Sequence, residues 1–227
     1  PNDVESVAQQ IVAEAVKVRS RFPRGVERLF GVSTFESENL IYKYDYLKNA
    51  IRRLVESNLS GRDGVALVEF EEASRLLSEV EASAAGKVER TLPIALLGKF
   101  RVNDVAQTVN LSVTLRGRNK SREVETEDLP LSELNSWARK LAEQVAGAAR
   151  SIKGGLSDQQ QIDWLVSKAS HFRSLGDWRL AVEQYEAALL IAPYDSDVRK
   201  DLLSALKTVI RQPGIRTSNE VTASRCQ

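Results

Sequence analysis

The sequence predicts an α/β (α+β) sandwich on a mixed sheet, followed by an all-α helical segment. Three observations lead to this fold class. Apolar runs typical of buried strands alternate with amphipathic helical patterns early in the chain, as in parallel β-α-β units. Three consecutive strand-like segments then predict an antiparallel meander. Beyond the pair Gly154-Gly155 only helical periodicity is found, so these glycines are expected to form the hinge between the two parts.

The individual elements follow from local patterns of apolar residues. Continuous or alternating apolar character predicts strands at residues 28–35, 65–70, 94–102, 109–115 and 122–127. Apolar stripes with helical spacing predict helices at residues 2–20, 46–60, 73–86 and 134–152. Gly61 is placed to cap the second of these helices, and Gly98, where a continuous pattern becomes alternating, predicts either a β-bulge or the rim of the covered sheet. The predicted division is an N-terminal helix (1–23), an α/β domain (24–153), helices (156–211) and a flexible tail (212–227).

Basic residues recur at every second position through the tip of the predicted hairpin, at Arg116, Arg118, Lys120 and Arg122. Four positive charges aimed at one side would form a platform for an anion or a phosphate. Acidic residues follow at once, at Glu123, Glu125, Glu127 and Asp128. The favoured interpretation is therefore a solvated hairpin that is neutralised internally.

Three tyrosines, Tyr42, Tyr44 and Tyr46, surround the start of the second helix. Together they would form an aromatic ledge for a ligand. Only Tyr46 shares the apolar stripe of the helix, so separate packing roles are favoured over a common ledge.

The helical segment carries the pattern of a known repeat. Its ten pattern positions are Leu165, Ala169, Phe172, Gly176, Trp178, Ala181, Tyr185, Ala188, Leu189 and Pro193. This pattern resembles the tetratricopeptide repeat, a pair of helices about 34 residues long, and residues 195–211 resemble the first helix of a following repeat. One and a half repeats are too few to be stable alone, so we expect them to dock on another surface, with Trp178 largely buried.

The resemblance to tetratricopeptide repeats implies a partner-binding groove lined by the first helix of each repeat. The implied lining residues are Asp163, Val166, Ser170, Arg173, Lys200, Ser204 and Lys207. Arg173, Lys200 and Lys207 would bind a carboxylate of a protein or peptide partner. A docking face for the α/β domain is the alternative use of the same residues.

The α/β part resembles a family of bacterial envelope proteins. Its first strand at 30–35, its helix at 42–60, the entry Gly61-Arg62 into Val68-Glu69, and the strands at 96–101 and 109–115 carry the similarity. This order resembles the domain shared by the amino-terminal part of TolB, the curli-secretion lipoprotein CsgG and the lipoprotein activators of penicillin-binding proteins. The resemblance covers residues 24–152 and implies a non-enzymatic assembly or regulatory component of the cell envelope.

The composition argues against catalytic chemistry. The 227 residues contain one His, one Cys and no Met, and neither glycine-rich phosphate loops nor a GxSxG nucleophile motif occur. A structural or solvent-facing ring is favoured for His171, and a free thiol for Cys226. We therefore predict no enzyme activity, no cofactor and no metal site. The net charge of +1, balanced on both sides of Gly155, predicts no nucleic-acid partner.

The expected function is that of a protein-binding scaffold or activator in the cell envelope, in the periplasm or at the outer membrane. No stretch of about 18 uncharged apolar residues is present, so membrane association is expected only through a segment absent from this chain. The start at Pro1 suggests a piece of a longer protein, such as a lipoprotein. The alternative is the regulatory or sensory region of a larger cytoplasmic signalling enzyme.

Overall fold

The computed structural model describes residues 26–39, 41–82, 91–117, 120–146 and 155–211. These residues form one mixed sheet of six strands and six α-helices, which confirms the predicted α/β class. The strands are β1 (Arg28–Val32), β2 (Glu36–Ser37), β3 (Val65–Val68), β4 (Pro93–Asn103), β5 (Thr108–Gly117) and β6 (Lys120–Pro130). The helices are α1 (Leu47–Ser60), α2 (Phe70–Ala82), α3 (Leu134–Ala146), α4 (Asp158–Ser174), α5 (Trp178–Ile191) and α6 (Ser196–Arg211). The predicted N-terminal helix, the tail at 212–227 and Gly154 lie outside the described residues.

The sheet has the strand order β3-β1-β4-β5-β6, with the short β2 beside β4. β1 pairs in parallel with β3 on one side and with β4 on the other. The chain passes through α1 before β3 and through α2 before β4, because parallel strands need crossover connections. β4, β5 and β6 pair antiparallel and form the predicted meander.

The two faces of the sheet are covered differently. Phe30 and Val32 of β1 belong to a core shared with α1 and α3. Gly31, between them, faces α2 on the other side, where a Cβ atom would lie 2.5 Å from the Cβ of Ala73. Glycine therefore lets α2 approach the sheet closely. On that same side β4, β5 and β6 extend beyond α2 and carry polar side chains, among them Lys99, Ser112 and Glu125. We call this region the open sheet face.

Two predicted strands are shorter in the structure. β1 ends at Val32 and β3 ends at Val68, whereas the apolar runs continue to Phe35 and Phe70. The Phe35 ring is buried in the core, edge-on to Trp137 at a centroid distance of 6.3 Å, and Phe70 begins α2. An apolar residue at the end of a run of apolar residues therefore indicates that its side chain is buried. It does not indicate that its backbone is extended.

Of the two alternatives for Gly98, the β-bulge is wrong. The pairing of β4 with β5 runs unbroken past Gly98, and the irregularity lies between Val109 and Leu111, where β5 pairs with β6. A Cβ atom on Gly98 would lie 2.2 Å from the Phe35 ring, so the glycine makes room for that ring. The pattern changes along β4 because α2 covers its first half, while its second half borders the open sheet face.

Gly61 follows α1, as predicted, but it does not adopt the left-handed conformation of a typical glycine cap. Its φ is −80°, which any residue tolerates. A Cβ atom there would lie 2.6 Å from Cγ of Leu156, in the segment that leads to α4. Glycine is needed because this segment crosses the end of α1.

Helices α4, α5 and α6 occupy the residues predicted to be helical. α4 begins with a capping box in which Ser157 and Gln160 each accept a hydrogen bond from the backbone N–H of the other. Gly176 has a φ of +78° in the turn before α5, and the Asp177 side chain caps α5. α5 packs against α4 and α6 and also against α1, so the segment is docked on the α/β part.

Candidate protein-interaction surfaces

The contact between α1 and α5 contains a buried cluster of charged side chains, which we call the α1–α5 ion cluster (Arg52, Arg53, Glu56 and Glu183). The Arg53 guanidinium binds Glu56 at 2.9 Å and Glu183 at 2.8 Å, and Arg52 binds Glu56 at 2.8 Å. Burial by itself lowers the pKa of Arg53, but the carboxylates of Glu56 and Glu183 outweigh burial and raise it. The cluster links the helical segment to the α/β part through ion pairs.

A network of buried amides forms a second link between the two parts. Asn58 of α1 donates hydrogen bonds to Asn135 of α3 and to Gln161 of α4, each at 3.3 Å. Gln161 donates back to Asn58 at 3.2 Å, and Asn135 donates to Asp158 at 2.9 Å. Because Asn58, Asn135 and Gln161 are buried and satisfy one another's hydrogen-bonding groups, the network specifies how α4 sits on α1 and α3.

The residues implied for a peptide groove lie in different environments. Asp163 and Ser170 are exposed on α4, and Asp163 accepts a hydrogen bond from Gln159 at 2.9 Å. Arg173 is half-buried; it donates to the Tyr185 hydroxyl at 3.2 Å and lies 3.5 Å from Asp201. The Tyr185 hydrogen bond is the main cause of the raised pKa of Arg173.

Arg173 therefore joins α4, α5 and α6 to one another. Its guanidinium also lies 5.5 Å from the centroid of the Trp178 ring, which is partly buried and not fully enclosed between helices. Because the Arg173 guanidinium already contacts Tyr185 and Asp201, fewer of its N–H groups are left to bind the carboxylate of a peptide partner.

Lys200 and Lys207 lie on the solvent side of α6. They are seven residues apart and exposed, whereas the buried residues Val198, Ala205, Leu206 and Val209 occupy the opposite side of the helix. We call this solvent side the α6 outer face; it consists of Arg199, Lys200, Leu203, Lys207 and Ile210. Leu203 is 48% exposed and Ile210 is 58% exposed, so the face combines large apolar side chains with cations.

An open groove of about 350 Å³ adjoins this face, and we call it the junction groove. It lies between the segment that leads into α1, the C-terminal half of α5 and the side of α6 that carries Arg199, Leu202 and Leu206. Its lining residues are Lys43, Tyr46, Glu186, Leu189, Leu190, Pro193, Arg199, Leu202 and Leu206. Arg199 belongs to both surfaces and lies 5.5 Å from the ring centroid of Tyr194, which is 88% exposed. The junction groove and the α6 outer face thus form one continuous apolar and basic region.

The three tyrosines before α1 do not form a common ledge. Tyr42 is exposed, Tyr44 is buried and Tyr46 lines the junction groove. The Tyr44 hydroxyl donates to Asp104 at 2.5 Å, and Lys43 binds the same carboxylate at 2.9 Å. These two contacts, the tyrosine first, lower the pKa of Asp104.

The alternative interpretation of the hairpin charges, a one-sided platform for an anion, is contradicted by the pairing of β5 with β6. Gly117 pairs with Lys120, Arg116 pairs with Ser121 and Arg122 pairs with Leu115. Arg116 and Arg122 therefore face opposite sides of the sheet. Arg118 lies outside the described residues. The tip cannot direct all its cations at one anion.

The α1–α5 ion cluster and the junction groove were not predicted from the sequence. Arg52, Arg53 and Glu56 have the three- and four-residue spacing of helical ion pairs, which is the one signal the sequence offers. Glu183 lies 130 residues beyond Arg53, so no local pattern relates the two.

Within the part of the chain that the structure describes, no group of three or more His, Cys, Asp or Glu side chains is arranged to hold a metal ion. His171 is exposed, and its ring lies 6.1 Å from that of Phe172. Among the described helices, none combines the length and apolar character needed to cross a bilayer. Comparison with protein-family models, curated proteins and solved structures finds no significant match to this chain. The resemblances to the envelope proteins and to tetratricopeptide repeats therefore stay predictions.

Proposed function

We propose that this protein is a non-enzymatic interaction component that binds a partner protein through the junction groove and the α6 outer face. The observation that carries the proposal is the exposure of Leu203 and Ile210 beside an open groove whose nine lining residues include four leucines. Exposed large apolar side chains that cluster around a concave surface mark binding sites more often than isolated ones do.

The surface favours an amphipathic helix with acidic residues as the occupant. Arg199, Leu203, Lys207 and Ile210 follow one another at spacings of four, four and three residues, so they form a ridge along α6. A partner helix packs its own apolar ridge beside such a row. α6 contains four basic residues against two acidic ones, and one of these acids, Asp201, binds Arg173. Acidic residues on the partner would complement this excess of positive charge.

We further propose that α4, α5 and α6 are tetratricopeptide-like helices that form a stack. Their order, their turn at Gly176 and their pattern residues support this assignment. In such a stack the last helix offers its outer side to the next helix, which is the same kind of occupant that the α6 outer face favours. Asp163 and Ser170 on α4 are proposed to contribute to a second, weaker contact.

The location in the cell envelope is proposed on the resemblance to TolB and CsgG. The rival proposal is the regulatory region of a cytoplasmic signalling enzyme. Fractionation of the source cells, with antibody against this chain, separates them: recovery with the envelope supports the first proposal, and recovery with soluble cytosol supports the second.

The test of the binding proposal is selection of peptides from a displayed library of helix-forming sequences. We expect selected peptides to carry apolar residues at helical spacing together with Asp or Glu. Their binding should weaken at least about tenfold on Leu203→Glu, which places a buried like charge against them. Val105→Glu is the matched control, because Val105 is 97% exposed in the turn between β4 and β5. Selected peptides that bind both variants equally would contradict the proposal.

A further inference from the structure

The outer edge of β6 is the longest unpaired strand edge in the described sheet. β6 spans eleven residues and pairs with β5 on one side, and no described strand pairs with its other side. The other edge strand, β3, has four residues. Along β6 every second residue directs its backbone N–H and C=O groups outward, so the edge offers a row of donors and acceptors for another strand.

The usable part of this edge runs from Ser121 to Thr126. Pairing with β5 is regular there, from Arg116 with Ser121 to Leu111 with Thr126. The irregularity that follows, with Asp128 at a φ of +48° and Pro130 at the end of the strand, stops a regular ladder from continuing. The edge therefore accommodates a strand of about six residues.

The two sides of this six-residue edge differ in chemistry. Glu123 and Glu125 are exposed on the open sheet face, where Ser112 donates a hydrogen bond to Glu123 at 2.7 Å. Arg122, Val124 and Thr126 point to the opposite side, where Arg122 is exposed and Trp137 of α3 donates to the Thr126 hydroxyl at 3.2 Å. A polar depression of about 250 Å³ on the open sheet face borders Glu123 and Glu125 and is also lined by Glu38, Glu127 and one cation, Lys99, so acidic groups are in excess there.

We propose that the β6 edge binds an extended basic segment of a partner protein as an added antiparallel or parallel strand. Residues of the added strand that face the open sheet face lie beside Glu123 and Glu125, so Lys or Arg is favoured at these positions. The alternate residues lie beside Val124 and Thr126, which favours small apolar or β-branched side chains. The recognised pattern is thus an alternation of basic and apolar residues.

A second copy of this chain is a poor occupant of the same edge. In a two-fold antiparallel pairing of two β6 strands, opposed residues face the same side of the extended sheet. A register centred on Glu123 places Glu123 opposite its own copy, and a register centred on Val124 places Glu123 opposite Glu125. Both registers bring like charges together, which destabilises a strand pair. The charges that oppose self-pairing are the charges that attract a basic strand.

The test uses four synthetic peptides with capped ends. The first is Lys-Val-Arg-Val-Lys-Thr, and the second has the same composition in blocks, Lys-Lys-Arg-Val-Val-Thr. The third is the alternating peptide with N-methyl groups on every second amide, and the fourth carries them on the remaining amides. Since an added strand uses the amides of one set for its ladder, one methylated peptide should lose binding, whereas simple charge attraction would retain both. Binding is measured by fluorescence anisotropy at ~150 mM salt.

We expect the alternating peptide to bind about tenfold more tightly than the block peptide, and Glu123→Lys/Glu125→Lys to remove this preference. Asp63→Lys/Glu71→Lys is the matched control, because it changes the net charge equally near the β3 edge, where both residues are exposed. Circular dichroism verifies that both double variants are folded. Leu203→Glu, in the α6 outer face, should leave peptide binding unchanged.

Amide hydrogen exchange gives the structural readout. Bound alternating peptide should slow exchange of alternate amides between Ser121 and Thr126, since they become donors to the added strand. Equal binding of the alternating and block peptides, no binding up to about 1 mM peptide, or exchange in β6 unchanged by bound peptide would each overturn the proposal. Concentration-dependent dimers that protect the same amides without peptide would also overturn it, in favour of self-pairing.

Discussion

At the scale of single residues, Gly98 shows how a missing side chain shapes the core. The Phe35 ring occupies the space that a side chain at position 98 would fill, and the ring packs edge-on against Trp137. The requirement for glycine at position 98 therefore comes from Phe35, 63 positions earlier in the chain, and not from the backbone conformation of β4.

The first prediction concerns this space. Gly98→Ala should lower the free energy of unfolding by about 1 to 3 kcal/mol, because its methyl group overlaps a ring within the packed core. Gly117→Ala is the control, since a Cβ atom there meets nothing within 4 Å, and it should change stability by less than about 0.5 kcal/mol. Urea unfolding measures both values. Phe35→Leu should relieve part of the loss when combined with Gly98→Ala; independent, additive effects would argue against the overlap.

The second prediction concerns the carboxylate of Asp104. Its pKa lies below the ordinary value of 3.8 because Tyr44 and Lys43 bind the charged form. A lowered pKa in the folded state contributes stability that is fully present above the unfolded pKa and is lost as the pH falls through the folded pKa. Asp104→Asn should therefore lower the free energy of unfolding at pH 7. This loss should become progressively smaller as the pH falls below 3.8.

The measurement for Asp104 is urea unfolding of both proteins between pH 7 and acid, together with an NMR titration of the carboxyl group. Tyr44→Phe should move the titration midpoint of Asp104 upward, since it removes the first cause of the shift. A midpoint that stays in place in Tyr44→Phe would show that the hydroxyl does not hold this carboxylate.

At the scale of elements, the α1–α5 ion cluster places charged side chains away from water, and it is stable only when each charge keeps its partners of opposite sign. Charges removed from water lose hydration, and attraction between partners compensates only when all of them are present. Arg53 lies between Glu56 and Glu183, with its side chain 11% exposed, so its removal leaves two buried carboxylates short of a partner.

The third prediction is that Arg53→Ala destabilises the fold by about 3 to 5 kcal/mol. Arg75 of α2 provides a matched comparison, because it also binds two glutamates, Glu72 and Glu79, but its side chain is 59% exposed. Arg75→Ala should cost much less, because its ion pairs are exposed to water and screened by salt. Thermal or urea unfolding decides the difference. Equal losses in the two variants would mean that burial does not govern the contribution of these pairs.

At the scale of the whole molecule, the two hydrophobic cores meet across α1. One core lies between the sheet and the helices α1 and α3, and the other lies among α4, α5 and α6 with Ala50 of α1. Tyr46, Leu190 and Ile191 pack against both cores. The helical segment thus completes the packing of the α/β part on the side of α1.

The fourth prediction is that both parts unfold in a single transition. Trp137 reports on the α/β part and Trp178 on the helical segment, so two variants are made that each retain one of these residues, with Phe at the other tryptophan positions. In each variant the midpoint from fluorescence should equal the midpoint from circular dichroism, because the cores share α1. Arg53→Ala in these backgrounds should lower both midpoints together.

Two separate midpoints within one variant would show that the helical segment is only tethered. Limited proteolysis gives an independent measurement, since a docked segment protects the chain around Gly155 from cleavage. Rapid release of an intact helical fragment, with the remaining part equally stable, would agree with tethering and contradict docking.

Much of the secondary structure was predictable because it depends on spacing within one element. Alternation in residues 109–115 predicts the central part of β5, and the apolar stripe of α1 predicts a helix whose buried side faces the sheet. The helical segment was also located in advance, by the ten repeat-pattern positions from Leu165 to Pro193. The boundaries at Phe35 and Phe70 were wrong, because an apolar residue is required wherever a side chain is buried, whether the backbone is extended or not.

The candidate surfaces were much less predictable. Lys200 and Lys207 were singled out from the sequence, but their neighbours Leu203 and Ile210 became candidates only when their exposure was visible. Arg173 looked available for a partner, yet its contacts with Tyr185 and Asp201 hold the three helices together. A side chain's availability depends on what packs beside it, and a single helix pattern does not contain that information.

The sequence by itself determined the α/β class, the meander, the helical segment and the lack of common catalytic motifs, since each depends on residue type and local spacing. Tertiary structure alone decided which distant residues meet: Gly98 with Phe35, Gly61 with Leu156, and Arg53 with Glu183. It also decided that β6 ends the described sheet with its outer edge open. The physical reason is that burial and pairing are set by the docking of whole elements, whose relative positions leave no periodic signal in the chain.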